Sequence, residues 1–368
     1  MPDNKPEIKG PPPARAGEQR VLARKRSSRR NRRLLIVIMA AIVFAGVVCC
    51  LPWGRWNLPA LPRHPAGLLG SRPPPPAPAF VPFLTAGFDG EAALQETRDF
   101  VNLGPRPAGA SGARKAAEHL ASRLGQAGVS VAIDEFTDST PEGVITFRNI
   151  VGTLGNTAGP FVILASHYDT KTGLGDAFIG ANDSGSSSGL LIEMARFLRA
   201  QPGPVRGVMF AFLDGEECLR SYSDRDGLHG SRRLARQLVS GGQASNVLGV
   251  VLLDMVGDKD LSVTLPNNGS SELVSMALTS AREENARLKF SLMGRPLLDD
   301  HEPFLAAGMR AVDIVDFCYG SGPGRNDYWH TTQDTLDKLS AESLGIVGRV
   351  AIRVVNKLLG QAPGRSSP

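Results

Sequence analysis

Six short stretches of this chain carry acidic or histidine residues directly after apolar runs. They are SHYDT at 166–170, GANDSG at 180–185, FLDGEE at 212–217, LLDMVGD at 252–258, DDHEPF at 299–304 and YWHTTQDT at 328–335. A carboxylate or imidazole at the end of a buried strand is badly placed for packing and well placed for chemistry. Side by side, such strands would bring His167, Asp183, Glu217, Asp254 and His330 to one point. Two imidazoles and three carboxylates suit a hard-to-borderline divalent cation, zinc first. Glu216 and Glu217 follow MFAFLDG directly, so both are expected to be buried, where adjacent carboxylates repel. A cation resolves that cost: Glu217 binds it, and Glu216 faces a substrate as general base or acid. His167 and Asp169, two apart in extended backbone, point the same way. Asp169 is therefore expected to accept the second imidazole N–H. Asp183 precedes a helical pattern and could instead be its N-cap. Asp254 ends a run of seven apolar residues, where an unpaired carboxylate is expensive. Asp299, Asp300 and His301 form a polar cluster before Pro303 that could also cap a helix.

The elements that must hold these residues alternate in type. Apolar periodicity predicts helices over 90–103, 111–126, 186–199, 227–238, 271–287 and 341–359, and strands over 129–136, 144–154, 161–165, 205–213, 247–253 and 311–315. Buried apolar strands interleaved with helices imply an α/β three-layer sandwich around a central, largely parallel mixed sheet. In such sheets, sites form beyond the carboxyl ends of the strands, which is where His167, Glu216, Glu217 and Asp254 fall.

The 368 residues allow one large domain with additions. Residues 1–33 contain eleven Lys/Arg and three acids, a net of +8 against +5 for the whole chain, leaving −3 for the remainder. The basic character belongs to the tail and gives no sign of a nucleic-acid surface on the folded part. Residues 34–51 (LLIVIMAAIVFAGVVCCL) carry no charge and reach the lower limit of a membrane span. Four arginines stand at positions 29, 30, 32 and 33, and Trp53 and Trp56 stand beyond the far end. This arrangement predicts an uncleaved single-pass anchor with a cytoplasmic N-terminus. A signal peptide would have a shorter basic region and a small-residue cleavage site. The expected organisation is a basic cytoplasmic tail (1–33), the transmembrane anchor (34–51), a proline-rich linker (52–82), a catalytic domain (83–360) and a disordered tail (361–368). The catalytic domain would lie outside the cytoplasm, in the periplasm or a secretory lumen. It has two cysteines, Cys218 and Cys318, whose spacing alone does not show whether they pair.

The six motifs in this order resemble the zinc-dependent M28 peptidase family over nearly all of 83–360. That resemblance implies a zinc-exopeptidase-like fold and offers two activities. One branch comprises aminopeptidases with two zinc ions. The other comprises glutaminyl-peptide cyclotransferases of the animal type, which use one zinc and convert the N-terminal glutamine of peptides to pyroglutamate. The segment GEECLRSYSDRDGLHGSRRLA at 215–235, the DDH at 299–301 and Trp329 before His330 are similar to the cyclotransferases. The resemblance implies zinc on Asp183, Glu217 and His330, catalytic roles for Glu216, Asp254 and Asp299, and a glutamine pocket lined by Trp329 and Tyr222. His167 and Asp254 are the candidate ligands of a second zinc, as in the aminopeptidase alternative. This chain departs from the cyclotransferase pattern at Tyr222, where Trp is common, and at Asp313, where the animal enzymes have His. A membrane-tethered binding domain with a decayed site is disfavoured, because Glu216 and all five ligand types are present.

Overall fold

The computed structural model describes residues 80–202 and 206–361. The expected basic tail, membrane anchor, most of the linker and the residues after 361 lie outside these. Among the described residues, no helix is long and apolar enough to cross a membrane.

Six strands form the central sheet: β1 (Ser130–Thr140), β2 (Gly143–Leu154), β3 (Asn156–His167), β4 (Arg206–Leu213), β5 (Val247–Asp254) and β8 (Ala311–Val315), in the order β1-β2-β4-β3-β5-β8. The pairs β1/β2 and β2/β4 are antiparallel, whereas β4/β3, β3/β5 and β5/β8 are parallel. Two three-residue strands, β6 (Val263–Leu265) and β7 (Phe290–Leu292), make a separate parallel pair.

The central strands are largely apolar runs because both of their faces are covered. Val162 and Leu164 of β3 join one core with α1 (Gly90–Val101), α2 (Ser111–Gln126), α3 (Ser187–Arg199), α5 (Ser271–Glu283) and α7 (Ala341–Leu359). Phe161, Ile163 and Ala165 point the other way, into a core with α4 (His229–Ser240) and α6 (His301–Ala306). At the sheet edge, β1 has one neighbour and alternates between exposed and half-buried positions.

Several expected boundaries move for local reasons. Helix α4 starts at His229 rather than 227, because Gly227 and Leu228 both have positive φ. Helix α5 ends at Glu283, and Asn285 just beyond it has φ 57°. The helix expected from 186 begins at Ser187, after an irregular turn over Ala181–Ser186. Strands β6 and β7 are too short for period-two alternation to show in the sequence. Cys218 and Cys318 are both free.

Helices α1 and α3 cross closely at Gly189, where a Cβ would overlap the backbone and hydroxyl of Thr97. Gly189→Ala is expected to cost about 1–3 kcal/mol, read as a lower urea midpoint. Gly125→Ala, in α2 with nothing within 4 Å of the added methyl, is expected to be neutral or to stabilise by up to about 1 kcal/mol.

Candidate active site

The parallel strands β4, β3, β5 and β8 end on one rim, and the expected ligands project from there. His167 is the last residue of β3 and Asp254 the last of β5. Glu216 and Glu217 follow the end of β4 after one tight turn, in which Gly215 has φ 71°. Asp183 lies in the turn before α3. That turn starts at Gly180 (φ 54°), where a Cβ would strike the Asp183 carbonyl oxygen. His330 comes from the loop before α7 and is itself left-handed at φ 55°, a conformation that costs a non-glycine residue roughly 1–2 kcal/mol.

These five side chains meet in two groups of three that share Asp183. His167 Nε2 lies 3.1 Å from Asp183 Oδ1 and 3.3 Å from Asp254 Oδ1. His330 Nε2 lies 2.8 Å from Glu217 Oε1 and 3.2 Å from Asp183 Oδ2. The ligand atoms within each group all lie within 4.8 Å of one another. Asp183 Oδ2, Glu217 Oε2 and Asp254 Oδ1 are buried and make no well-formed hydrogen bond, although they face His330 Nε2 at 3.2 Å, Lys171 Nζ at 3.4 Å and His167 Nε2 at 3.3 Å. Oxygen and imidazole donors converging with unsatisfied buried lone pairs fit zinc.

The electrostatics agree. Burial disfavours a charged imidazole, yet hydrogen bonding to Asp183 and Glu217 pushes His330 up to about 10. Burial, and then the neighbouring Glu217 carboxylate, push Glu216 well above the usual carboxylate range. Burial and Asp183 raise Glu217. Two imidazoles and the Lys171 ammonium, 3.4 Å from Glu217 Oε2, face five buried carboxylates, a donor set that a divalent cation would suit.

A second layer of charge holds the ligand-bearing turns. Asp169 was expected to accept the imidazole N–H of His167. Its Oδ1 does lie 3.5 Å from His167 Nδ1, but that nitrogen makes no hydrogen bond. Its carboxylate instead accepts the backbone N–H groups of Glu216 at 3.1 Å and Glu217 at 3.2 Å. Asp334 does the same for the other turn, accepting from the N–H of Asn182 at 2.7 Å and of Asp183 at 3.1 Å; it also accepts from the Tyr319 hydroxyl at 2.9 Å. Asp183 is therefore no N-cap: its side chain enters the ligand cluster. Arg106, fully buried, donates to the carbonyls of Tyr168 (2.9 Å), Ile179 (2.8 Å), Gly180 (3.1 Å) and Gly104 (3.2 Å). It ties the exit of β3 to the Asp183 turn. No motif in the sequence marks Arg106, because its partners are main-chain carbonyls up to 74 residues away.

A cavity of about 400 Å³ opens beside the ligands. Glu216, Asp254 and Asp299 line it with Tyr222 and Trp329, as expected, and so do Leu297, Leu298 and Phe317, which were not. The Tyr222 hydroxyl donates to Glu216 Oε1 at 2.8 Å. Trp329 stacks on the His330 imidazole with centroids 4.0 Å apart and packs on Phe317 at 5.1 Å. Phe317 follows the carboxyl end of β8, the same kind of position that marked the ligands, so its place on the rim was open to inference. Behind the pocket, Asp300, His301 and Asp313 are fully buried.

Residues 149–355 match the model of peptidase family M28. The chain belongs to this family. Among curated relatives, the glutaminyl-peptide cyclotransferase of Boiga irregularis is 29% identical over 279 residues, spanning 66% of this chain and 74% of the relative. The glutaminyl-peptide cyclotransferase-like protein of Mus musculus is 30% identical over 285 residues, spanning 69% and 72%. Among solved structures, the glutaminyl cyclase of an Acidobacteriales bacterium superposes with a TM-score of 0.70 at 34% identity, covering 77% of this chain and 98% of that one.

Replacing Asp169 by Ala leaves two buried N–H groups without an acceptor and frees the Glu216–Glu217 turn. The expected cost is about 1–3 kcal/mol, with less zinc retained per chain after dialysis, measured by elemental analysis.

Proposed function

We propose that this M28 chain is a zinc-dependent glutaminyl-peptide cyclotransferase, closing the N-terminal glutamine of peptides into pyroglutamate and releasing ammonia. The observation that carries this reading is Glu216, a buried carboxylate oriented by Tyr222 inside a pocket walled by Trp329 and Phe317. The names of the relatives support the same reaction.

Asp183, Glu217 and His330 would hold the zinc, which when bound supplies Lewis acidity toward the side-chain carbonyl of the substrate. The residues of the chain do the rest. Trp329, Phe317 and Tyr222 exclude water and fold the glutamine side chain back toward its own amine, a proximity effect. Glu216 takes a proton from the α-amine as its nitrogen bonds to the side-chain amide carbon, and delivers it to the departing nitrogen as the old C–N bond breaks. Asp254 and Asp299, both lining the cavity, accept hydrogen bonds from the amine and from the leaving ammonia.

Incubation of the purified protein with a Gln-peptide is expected to give a product lighter by one ammonia, seen by mass spectrometry. Glu216→Gln is expected to lower kcat by about 10²–10⁴-fold, and a chelator to abolish turnover until zinc is restored. The second group, His167, Asp183 and Asp254, favours one rival: a two-zinc aminopeptidase. Release of free glutamine from the same peptide would establish that rival instead.

We further infer that residues 34–51 anchor the chain and leave this domain outside the cytoplasm, as the flanking arginines suggest. Protease added to spheroplasts, which expose the periplasmic face, is expected to cleave the domain from the membrane fraction; its full protection there would oppose the topology.

A further inference from the structure

One wall of the pocket is built from 295–298, which belongs to neither helix nor strand. Leu297 and Leu298 line the cavity, and Leu297 packs in the same apolar cluster as Phe317 and Trp329. Something must hold this stretch, because an irregular segment has no ladder of its own.

The ladder of β6 and β7 carries on a short way beyond them. The N–H of Met293 donates to the Leu265 carbonyl at 2.7 Å, and that of Asn267 to the Arg295 carbonyl at 3.3 Å. Where this backbone pairing stops, one side chain takes over. Asn268 Oδ1 accepts the N–H of Leu297 at 3.2 Å, and Asn268 Nδ2 donates to the carbonyl of Leu297 at 2.8 Å. A single carboxamide satisfies both polar groups of one residue, as a neighbouring strand would. The same Nδ2 donates to Glu302 Oε1 at 2.5 Å. Glu302 lies in the first turn of α6, three residues after Asp299. The wall is thereby fixed at Leu297 and tied to the helix that follows Asp299.

We propose that Asn268 is a positioning residue for the substrate pocket: its amide sets the Leu297 wall against Phe317 and Trp329 and couples that wall, through Glu302, to the Asp299 segment. The inference rests on the cyclotransferase reading for its substrate. Asn268 also opens an Asn-Gly-Ser sequon. Both hydrogens of its Nδ2 are committed here, so a sugar would displace one of these bonds.

The test uses the full chain with a Gln-peptide. Asn268→Ala is expected to raise KM roughly 5–30-fold and change kcat less than about threefold, the effect of losing two modest hydrogen bonds that shape the pocket. Hydrogen exchange at the Leu297 amide should accelerate in the same variant. A lower melting temperature with unchanged KM and unchanged exchange would overturn the proposal. A wild-type protein that fails to cyclise the peptide would refute the reaction alone, because the exchange measurement reads the clamp without turnover.

Discussion

Negative charge buried at one rim of a parallel sheet is the constraint from which the rest of this domain follows. Asp169, Asp183, Glu216, Glu217, Asp254 and Asp299 are all buried. An isolated carboxylate in such a place costs several kcal/mol. Five of them are made tolerable in three ways. Asp183, Glu217 and Asp254 face imidazoles and the converging lone pairs of one another, an arrangement that a cation would complete. Asp169 is satisfied by two main-chain N–H groups, and Glu216 by the Tyr222 hydroxyl.

That division has a mechanical consequence. Asp169 and Asp334 each hold the main chain of a turn that carries one candidate ligand, Glu217 and Asp183 respectively. Arg106, with four carbonyls as partners, fixes the segment between them. The ligand positions are therefore set by charge-assisted hydrogen bonds beneath the site as well as by the strands. Such bonds are roughly twice as strong as neutral ones. The arrangement also supports a left-handed His330, whose ring is held between Trp329 and the two carboxylates.

Much of this was legible in the sequence, and for one reason. Strands covered on both faces are continuous apolar runs, so a charge at the end of one stands out. The helices over 111–126 and 341–359 and the strand over 311–315 fall where periodicity puts them, and His167 and Asp254 end their strands as expected. What stayed hidden acts through tertiary hydrogen bonds that leave no periodic trace: Arg106, Asp334 and Asn268. Asp169 was read correctly as a supporting group, yet its main partners are the amides of Glu216 and Glu217, 47 and 48 residues away. Spacing along a strand predicts on which side a group points, not which loop arrives there. The apolar wall of Leu297 and Phe317 was missed because single hydrophobic residues in loops look like ordinary packing.

The account stands or falls on Asp183, Glu217 and His330 sharing one ion. X-ray absorption at the zinc edge of the purified protein reads that directly. The expected spectrum is a shell of nitrogen and oxygen only, at about 2.0–2.2 Å, with the outer-shell signature of imidazole. Sulfur at about 2.3 Å, or zinc without an imidazole, would place the ion elsewhere and contradict it.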